Sequence, residues 1–363
     1  MSVSANVVVL PADTATLRVE EVQLPDPTAH QVLVKEFASG ICHSQLHQMH
    51  RPRQHPVVLG HEATGEVVAV GGEVSHVAPG DIVLVTWVPR NAKAAHRPPE
   101  RATLAVSDGV AQSENVYTWA DHTLCDEQYV VKVAPDTTRD VTSIIGCAVM
   151  TGAGAVINTA NVQPGDSVAI FGVGGVGLSA VVGARMVGAS QIIAVDLDDD
   201  KLAFATQFGA THTVNAAQTD PVAAIHELTP KEGQHTFMRA PVTGADFAFD
   251  CIGIKTTMEQ IVPAARTGRF GAEVGGTAVL VGVPSETVEL SAVDVLVNEK
   301  KFIGSLGGSC APDHDFPKFL EWYKNGDLDL DALITARYSL DQINEATRAL
   351  SSGEISGRAI LEF

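Results

Sequence analysis

The sequence predicts an α/β protein in two parts, a β-rich part and a doubly wound parallel sheet, and three observations carry that prediction. Through the first 85 residues short valine-rich runs alternate with turn signals, the pattern of strands rather than helices. After Cys147 the texture changes to apolar strand, glycine turn and helix, first over 172–195 and again near 246–250 and 278–282. The 363 residues, 45% hydrophobic with only 5% aromatic, are enough to bury more than one core.

In chain order, Gln31-Val32-Leu33-Val34-Lys35 and the run from Gly65 to Gly71 read as strands, and Pro79-Gly80-Asp81 is a turn entering the strand Ile82-Val83-Leu84-Val85. From about Asn91 to Asn115 the pattern dissolves into Ala, Pro, Arg and Ser, which reads as a loop or lobe outside the core. Val168 to Phe171 is a buried strand, the following glycines a turn, and Leu178 onward a helix ending near Gly188. This uncharged stretch of ~17 residues approaches membrane-span length, but its glycine density favours strand, turn and helix. Ile192 to Asp196, Asp246 to Asp250 and Ala278 to Gly282 supply further strands. The last stretch, Phe316 to Phe363, holds an amphipathic helix at Asp341–Ser351 and a terminal strand from Arg358, expected to return to the first part.

Composition excludes several classes of partner. With 24 Lys and Arg against 43 Asp and Glu the formal charge is −19, and no basic run exists to neutralise a phosphate backbone, so no nucleic-acid partner is expected. No membrane partner is expected either. The five cysteines, Cys42, Cys125, Cys147, Cys251 and Cys310, are odd in number and widely spaced, and no charged-then-apolar leader is visible. A reducing, cytoplasmic location is the simplest expectation.

Two constellations carry chemistry. Gly172-Val173-Gly174-Gly175-Val176-Gly177 follows an apolar strand and opens a helix, so backbone N–H groups and the helix dipole can meet a pyrophosphate. Asp196 ends the next strand, where a carboxylate accepts hydrogen bonds from both ribose hydroxyls and repels a 2′-phosphate, which favours NAD over NADP. Asp198, Asp199 and Asp200 read as a solvated acidic turn. The second constellation is Cys42 in Gly40-Ile41-Cys42-His43-Ser44, His61 in Gly60-His61-Glu62, and Cys147 in Gly146-Cys147-Ala148. Singly, each is explained as a small buried hydrophobe or a hydrogen-bonded histidine. As a set, two thiolates and one imidazole can hold zinc with a fourth position open, the arrangement that polarises a carbon–oxygen bond.

On the Gly-His-Glu, Gly-Cys-Ala-Val-Met-Thr-Gly and Gly-Val-Gly-Gly-Val-Gly blocks, in that order and spacing, the chain resembles the zinc-dependent medium-chain alcohol dehydrogenases. The resemblance implies a GroES-like catalytic domain over 1–148 and 306–363 and a Rossmann dinucleotide-binding domain over 149–305. It implies Cys42, His61 and Cys147 as ligands of one catalytic zinc per chain, with Glu62 as a carboxylate that coordinates transiently. It places Ser44 and His47 in a proton relay. The residues agree, because a hydroxyl can pass a proton, an imidazole can deliver it to solvent near neutral pH, and positions three apart share a helical face. Thr151 and Val176 correspond to residues packed against the nicotinamide, Arg358 to a pyrophosphate-binding arginine, Trp87 to a substrate-pocket aromatic, and Lys201 and Val283 complete the cofactor set. The implied reaction is reversible, NAD-dependent oxidation of a primary or secondary alcohol to an aldehyde or ketone, by a homodimer or homotetramer.

The chain departs from that family at three places. The four closely spaced cysteines that hold a structural zinc in many relatives are missing, since Cys125 is the sole cysteine between Asp81 and Gly146; the 91–115 lobe must then be held by packing or by a partner subunit. His43 replaces an arginine against the cofactor phosphates, so its charge titrates near neutrality and NADH retention is expected to weaken as pH rises. Gln45 replaces an aspartate that orients the zinc histidine, which is expected to lower that ligand's basicity. Two rival readings follow from the same fold: a zinc-free reductase of activated alkenes or quinones using NADPH, and a non-catalytic nucleotide-binding scaffold.

Overall fold

The computed structural model describes residues 3–363, which form two compact units. One runs to Ala148 and resumes at Ala311–Phe363; the other is Val149–Cys310.

The first unit is built on the strand Gln31–Ile41, eleven residues with only Lys35 exposed and Phe37 half-buried. Both edges of this strand are paired. It hydrogen-bonds to Ala63–Val70, to His122–Asp126 and to the terminal strand Arg358–Glu362, all antiparallel. Ile82–Val85 and Val130–Lys132 extend that sheet on one side and Ile334–Ser339 on the other. A second sheet orders Arg18–Leu24, Val3–Leu10, Val57–Val58, Gly109–Gln112 and Thr103–Val106. The expected return of the chain's end is seen in the register Ala359↔Ile41 and Leu361↔Ser39. The amphipathic helix begins as a 3-10 turn, Leu340–Gln342, and continues as α-helix over Ile343–Ser351, burying Ile343, Ala346 and Leu350 at helical spacing. These join Val8, Leu10, Ile41 and Trp119 in one core.

One expectation is corrected. The segment read as a loop outside the core contains the hairpin Thr103–Val106 and Gly109–Gln112, paired Val106↔Gly109, and its Leu104 and Ala111 are buried. The turn chemistry was present as Ser107-Asp108-Gly109, where Gly109 takes φ +139. Short strands with one buried face carry a weak pattern that the surrounding Pro, Arg and Ala obscure.

The second unit is a six-stranded sheet, parallel throughout, in the order His212–Asn215, Gln191–Asp196, Ser167–Phe171, Phe247–Asp250, Thr277–Leu280, Lys301–Gly304. Ser167–Phe171 is buried along its whole length, as a strand covered on both faces must be. Strand order reverses at this strand, so the glycine loop that follows it sits at the topological switch point where such sheets bind ligands. The helix after it opens at Gly175, earlier than Leu178, because extended Gly174 serves as its N-cap. Among the described residues, no helix is long and apolar enough to cross a membrane.

Glu36 is an exception to the apolar lining of the first unit. It is 1% exposed, and neither carboxyl oxygen has a partner. Burial, with the Asp121 charge adding, holds the Glu36 carboxyl well above its ordinary value. The folded chain therefore keeps a proton that the unfolded chain releases above the normal carboxylate range, and stability falls as pH rises toward the folded value. The slope is about 1.4 kcal/mol per pH unit for one proton. Urea midpoints measured between about pH 5 and 8 should drop less steeply in Glu36→Gln than in the native chain; parallel profiles would contradict a buried neutral carboxyl.

Candidate active site

In the first unit three elements end at one point. Cys42 directly follows Gln31–Ile41 and is the N-cap of the helix His43–His50, its N–H held by Gln45 Oε1 at 2.9 Å. His61 lies in the turn before Ala63–Val70, beside Gly60 at φ +96, where a Cβ would sit 2.4 Å from the Trp119 nitrogen. Cys147 ends the 3-10 run Val141–Gly146. The two Sγ atoms and an imidazole nitrogen all lie within 4.8 Å of one another, with His61 Nε2 at 3.1 Å from Cys147 Sγ.

Glu62 and Arg358 form the floor of this cluster. Their side chains are 0% and 5% exposed, an Arg358 Nη2–H donates to Glu62 Oε1, and the Ala148 N–H donates to Glu62 Oε2 at 3.2 Å. Glycine is required on both sides of the carboxylate: a Cβ on Gly40 would lie 2.2 Å from Glu62 Oε1, and one on Gly146 2.5 Å from the Val85 oxygen and 3.2 Å from Glu62 Cβ. The hydrogen bond from Cys147 holds the Cys42 thiol well below its ordinary value, with Arg358 and His61 adding to the effect. The same hydrogen bond, then burial, pushes the Cys147 thiol well above its ordinary value. One proton is thus shared by two sulfurs. Two thiols and an imidazole in this arrangement match the donor set of a divalent, borderline-soft cation, whose binding would displace that proton.

The helix His43–His50 supplies the surroundings. Ser44 Oγ is buried without a partner, and His43 and His47 are exposed. Gln45, 1% exposed, brings its amide nitrogen onto His61 Nδ1, so an amide stands where sequence analysis noted the loss of a carboxylate. The Trp87 ring meets His61 edge-on at 6.3 Å between centroids, and its indole nitrogen is buried without a partner.

The second unit carries the glycine loop. Gly172 takes φ +85, and a Cβ on Gly177 would lie 1.8 Å from the Gly172 oxygen, so both glycines serve the loop's own geometry. Gly174 differs, because nothing in the chain lies within 4 Å of its Cβ position. A glycine with open space above it is what the close approach of a ligand requires. Asp196 accepts the Val173 N–H at 3.0 Å and the Leu197 N–H at 2.8 Å, fixing the loop while remaining half-exposed. Thr151 lies within the helix Ala148–Gly154, its hydroxyl buried without a partner. A Cβ on the adjacent Gly152 would meet the Val176 oxygen at 2.0 Å, which brings Thr151 and Val176 into one neighbourhood. Lys201 is half-buried in the first turn of Asp199–Phe208, and Val283, 44% exposed, follows Thr277–Leu280 beside Gly253.

Two family models match the chain: an alcohol dehydrogenase GroES-like domain over residues 28–136, and a zinc-binding dehydrogenase over residues 175–325. It is 32% identical to an alcohol dehydrogenase class-3 of Cereibacter sphaeroides, covering 96% of each chain. The chain belongs to the zinc-type medium-chain alcohol dehydrogenase family. Among solved structures, this family member resembles an alcohol dehydrogenase zinc-binding domain protein from Burkholderia ambifaria, with TM-score 0.87, 30% identity and full coverage of both chains. It also resembles benzyl alcohol dehydrogenase from Acinetobacter calcoaceticus, with TM-score 0.85, 30% identity and 99% coverage of both. As an alcohol dehydrogenase it is an oxidoreductase acting on alcohols.

The dehydrogenase pairs Arg358 with Glu62, a contact sequence reasoning missed. The two are 296 positions apart and neither has a local signal of the other. Arg358 Nε remains buried and unpartnered, so the guanidinium keeps a donor beyond the ion pair. Two alanine substitutions separate the loop's internal needs from its ligand. Gly177→Ala, which overlaps the Gly172 carbonyl, should destabilise the protein by about 1–3 kcal/mol, whereas Gly174→Ala should leave the melting temperature unchanged and weaken NADH binding in a fluorescence titration. Equal NADH affinity for Gly174→Ala and the native chain would remove the cofactor from this loop.

Proposed function

We propose that this enzyme oxidises primary or secondary alcohols reversibly with NAD, using one zinc per chain held by Cys42, His61 and Cys147. The observation that carries the reading is the convergence of two sulfurs and an imidazole nitrogen within 4.8 Å, against a buried ion pair. Zinc, when bound, supplies Lewis acidity that brings an alcohol hydroxyl's pKa toward neutrality. Ser44, whose buried Oγ has no partner within the chain, accepts the substrate's proton, and exposed His47 passes it to solvent. Glu62 is the carboxylate within reach for ligand exchange, and Arg358 compensates its charge meanwhile. Trp87 walls the space beside His61.

On the cofactor side, the backbone of Gly172, Gly174, Gly175 and Gly177 and the start of the helix Gly175–Met186 receive the pyrophosphate. Asp196 and Lys201 address the adenosine ribose, and Thr151, Val176 and Val283 the nicotinamide. The half-exposed Asp196 carboxylate favours NAD, since a 2′-phosphate would meet its charge. The exposed Val293 and Leu296 of the helix Ala292–Asn298 support burial of that face in a homodimer or homotetramer. Five cysteines, odd in number and widely spaced along the chain, support a reducing cytoplasm.

Purified enzyme should contain one zinc per chain and form NADH from benzylic or aliphatic alcohols faster than NADPH. Cys42→Ala should lose the metal and at least ~10²-fold in kcat/KM, several kcal/mol of barrier, while Ser44→Ala should lose ~10²-fold with zinc retained. Full alcohol-dependent turnover in Cys42→Ala would overturn the zinc mechanism, purified protein without zinc would favour the zinc-free reductase, and no turnover by the zinc-loaded native chain with any alcohol would favour the scaffold. In a separate measurement, Asp196→Ala should narrow the preference for NAD over NADP by about tenfold; an unchanged ratio would remove Asp196 from the ribose.

A further inference from the structure

The segment that carries Trp87 hangs from a short turn. On one side of the indole the Thr86 N–H donates to the Tyr129 carbonyl at 3.0 Å, and on the other the Arg90 N–H donates to the Gln128 carbonyl at 2.6 Å. Both carbonyls belong to the 3-10 turn Glu127–Tyr129. Its N-cap is Asp126, whose side chain is 0% exposed and accepts from the Gln128 N–H at 3.0 Å and Gln128 Nε2 at 3.1 Å. The same carboxylate takes both ends of the Arg97 fork, at 2.6 and 3.0 Å, and the Glu100 N–H at 2.7 Å. Arg97 also reaches Glu127 Oε1 at 3.4 Å, an oxygen that His30 Nδ1 contacts at 2.8 Å. Beyond Trp87, Arg90 is held again by Asp313, at 2.7 Å to its guanidinium and 2.9 Å between the Asp313 N–H and the Arg90 oxygen.

One buried carboxylate therefore joins the far end of the segment, at Arg97 and Glu100, to the turn from which Trp87 is suspended. Burial alone would raise the Asp126 pKa, but Arg97 and the N–H donors hold it below its ordinary value, so the charge is present at neutral pH. A bidentate arginine–carboxylate pair fixes direction as well as distance, which a single lysine contact does not. This is also the lobe in which the chain has no cluster of cysteines.

We propose that Asp126 is a positioning residue for Trp87: with Arg97 it sets the turn Glu127–Tyr129, the turn fixes the indole beside His61, and the indole decides which alcohols fit. The inference rests on the reading of Trp87 as a wall of the alcohol site. Asp126→Asn keeps the shape and a cap acceptor but removes the charge from the fork. It should raise KM for benzyl alcohol about tenfold relative to ethanol, with zinc content unchanged and kcat for ethanol within about twofold. Arg97→Gln should act in the same direction, and Arg97→Lys should recover part of the loss.

A readout independent of turnover is 5-fluorotryptophan NMR, since the chain has three tryptophans, Trp87, Trp119 and Trp322. The Trp87 resonance, assigned from Trp87→Phe, should shift or broaden in Asp126→Asn while the other two stay in place. Asp126→Asn and Trp87→Phe should also be non-additive in the benzyl alcohol to ethanol KM ratio. An unmoved Trp87 resonance, or full additivity, would overturn the proposal. If Asp126→Asn fails to fold, Arg97→Gln carries the same two tests. If the native chain shows no alcohol turnover the wall reading fails, and the resonance still decides whether Asp126 positions Trp87.

Discussion

The first unit is organised around one carboxylate that has been taken out of water. Glu62 is fully buried between two glycines and an arginine, and each neighbour is fixed by a different part of the chain. Gly40 is next to last in the central strand, Gly146 ends the 3-10 run, and Arg358 begins the terminal strand. A buried carboxylate without its counter-ion would be strongly destabilising, by about 3–5 kcal/mol if a formed pair were broken. The closure of Arg358–Glu362 onto Ala38–Ile41 is therefore coupled to the chemistry at the other end of the pair. Cys42, His61 and Cys147 each lie within two residues of a member of this set, so packing the carboxylate brings the three donors together.

Electrostatics then follow from the floor upward. Arg358 compensates the charge of Glu62 and favours a thiolate at Cys42, while the two sulfurs compete for one negative charge until a cation can neutralise both. The second unit follows a different economy of space. Its loop glycines divide into those the backbone itself requires, Gly172 and Gly177, and one, Gly174, left with open room. Asp196 serves both needs, because it accepts two backbone N–H groups and still faces solvent in part.

Much of this was legible in the sequence, for physical reasons that can be named. The parallel sheet shows as apolar runs because both its faces are covered, and the glycine loop shows because tight turns and close approach exclude side chains. The metal triad could be read as a set only because of the blocks around it. What stayed hidden was tertiary: the pairing of Arg358 with Glu62 and the fork of Arg97 on Asp126 join residues whose local surroundings are ordinary. The hairpin Thr103–Gln112 was hidden for a different reason, since its Ser107-Asp108-Gly109 turn sits among residues without a regular apolar period.

The chemistry proposed for this site requires Cys42, His61 and Cys147 to close on a single divalent cation. Zinc K-edge absorption of the purified chain tests it most directly. The spectrum should show one zinc with two sulfur scatterers at about 2.3 Å and a nitrogen or oxygen shell at about 2.0–2.1 Å, with the sulfur shell diminished in Cys147→Ser. A zinc-free preparation that still oxidises alcohols, or a bound zinc without any sulfur shell, would contradict it.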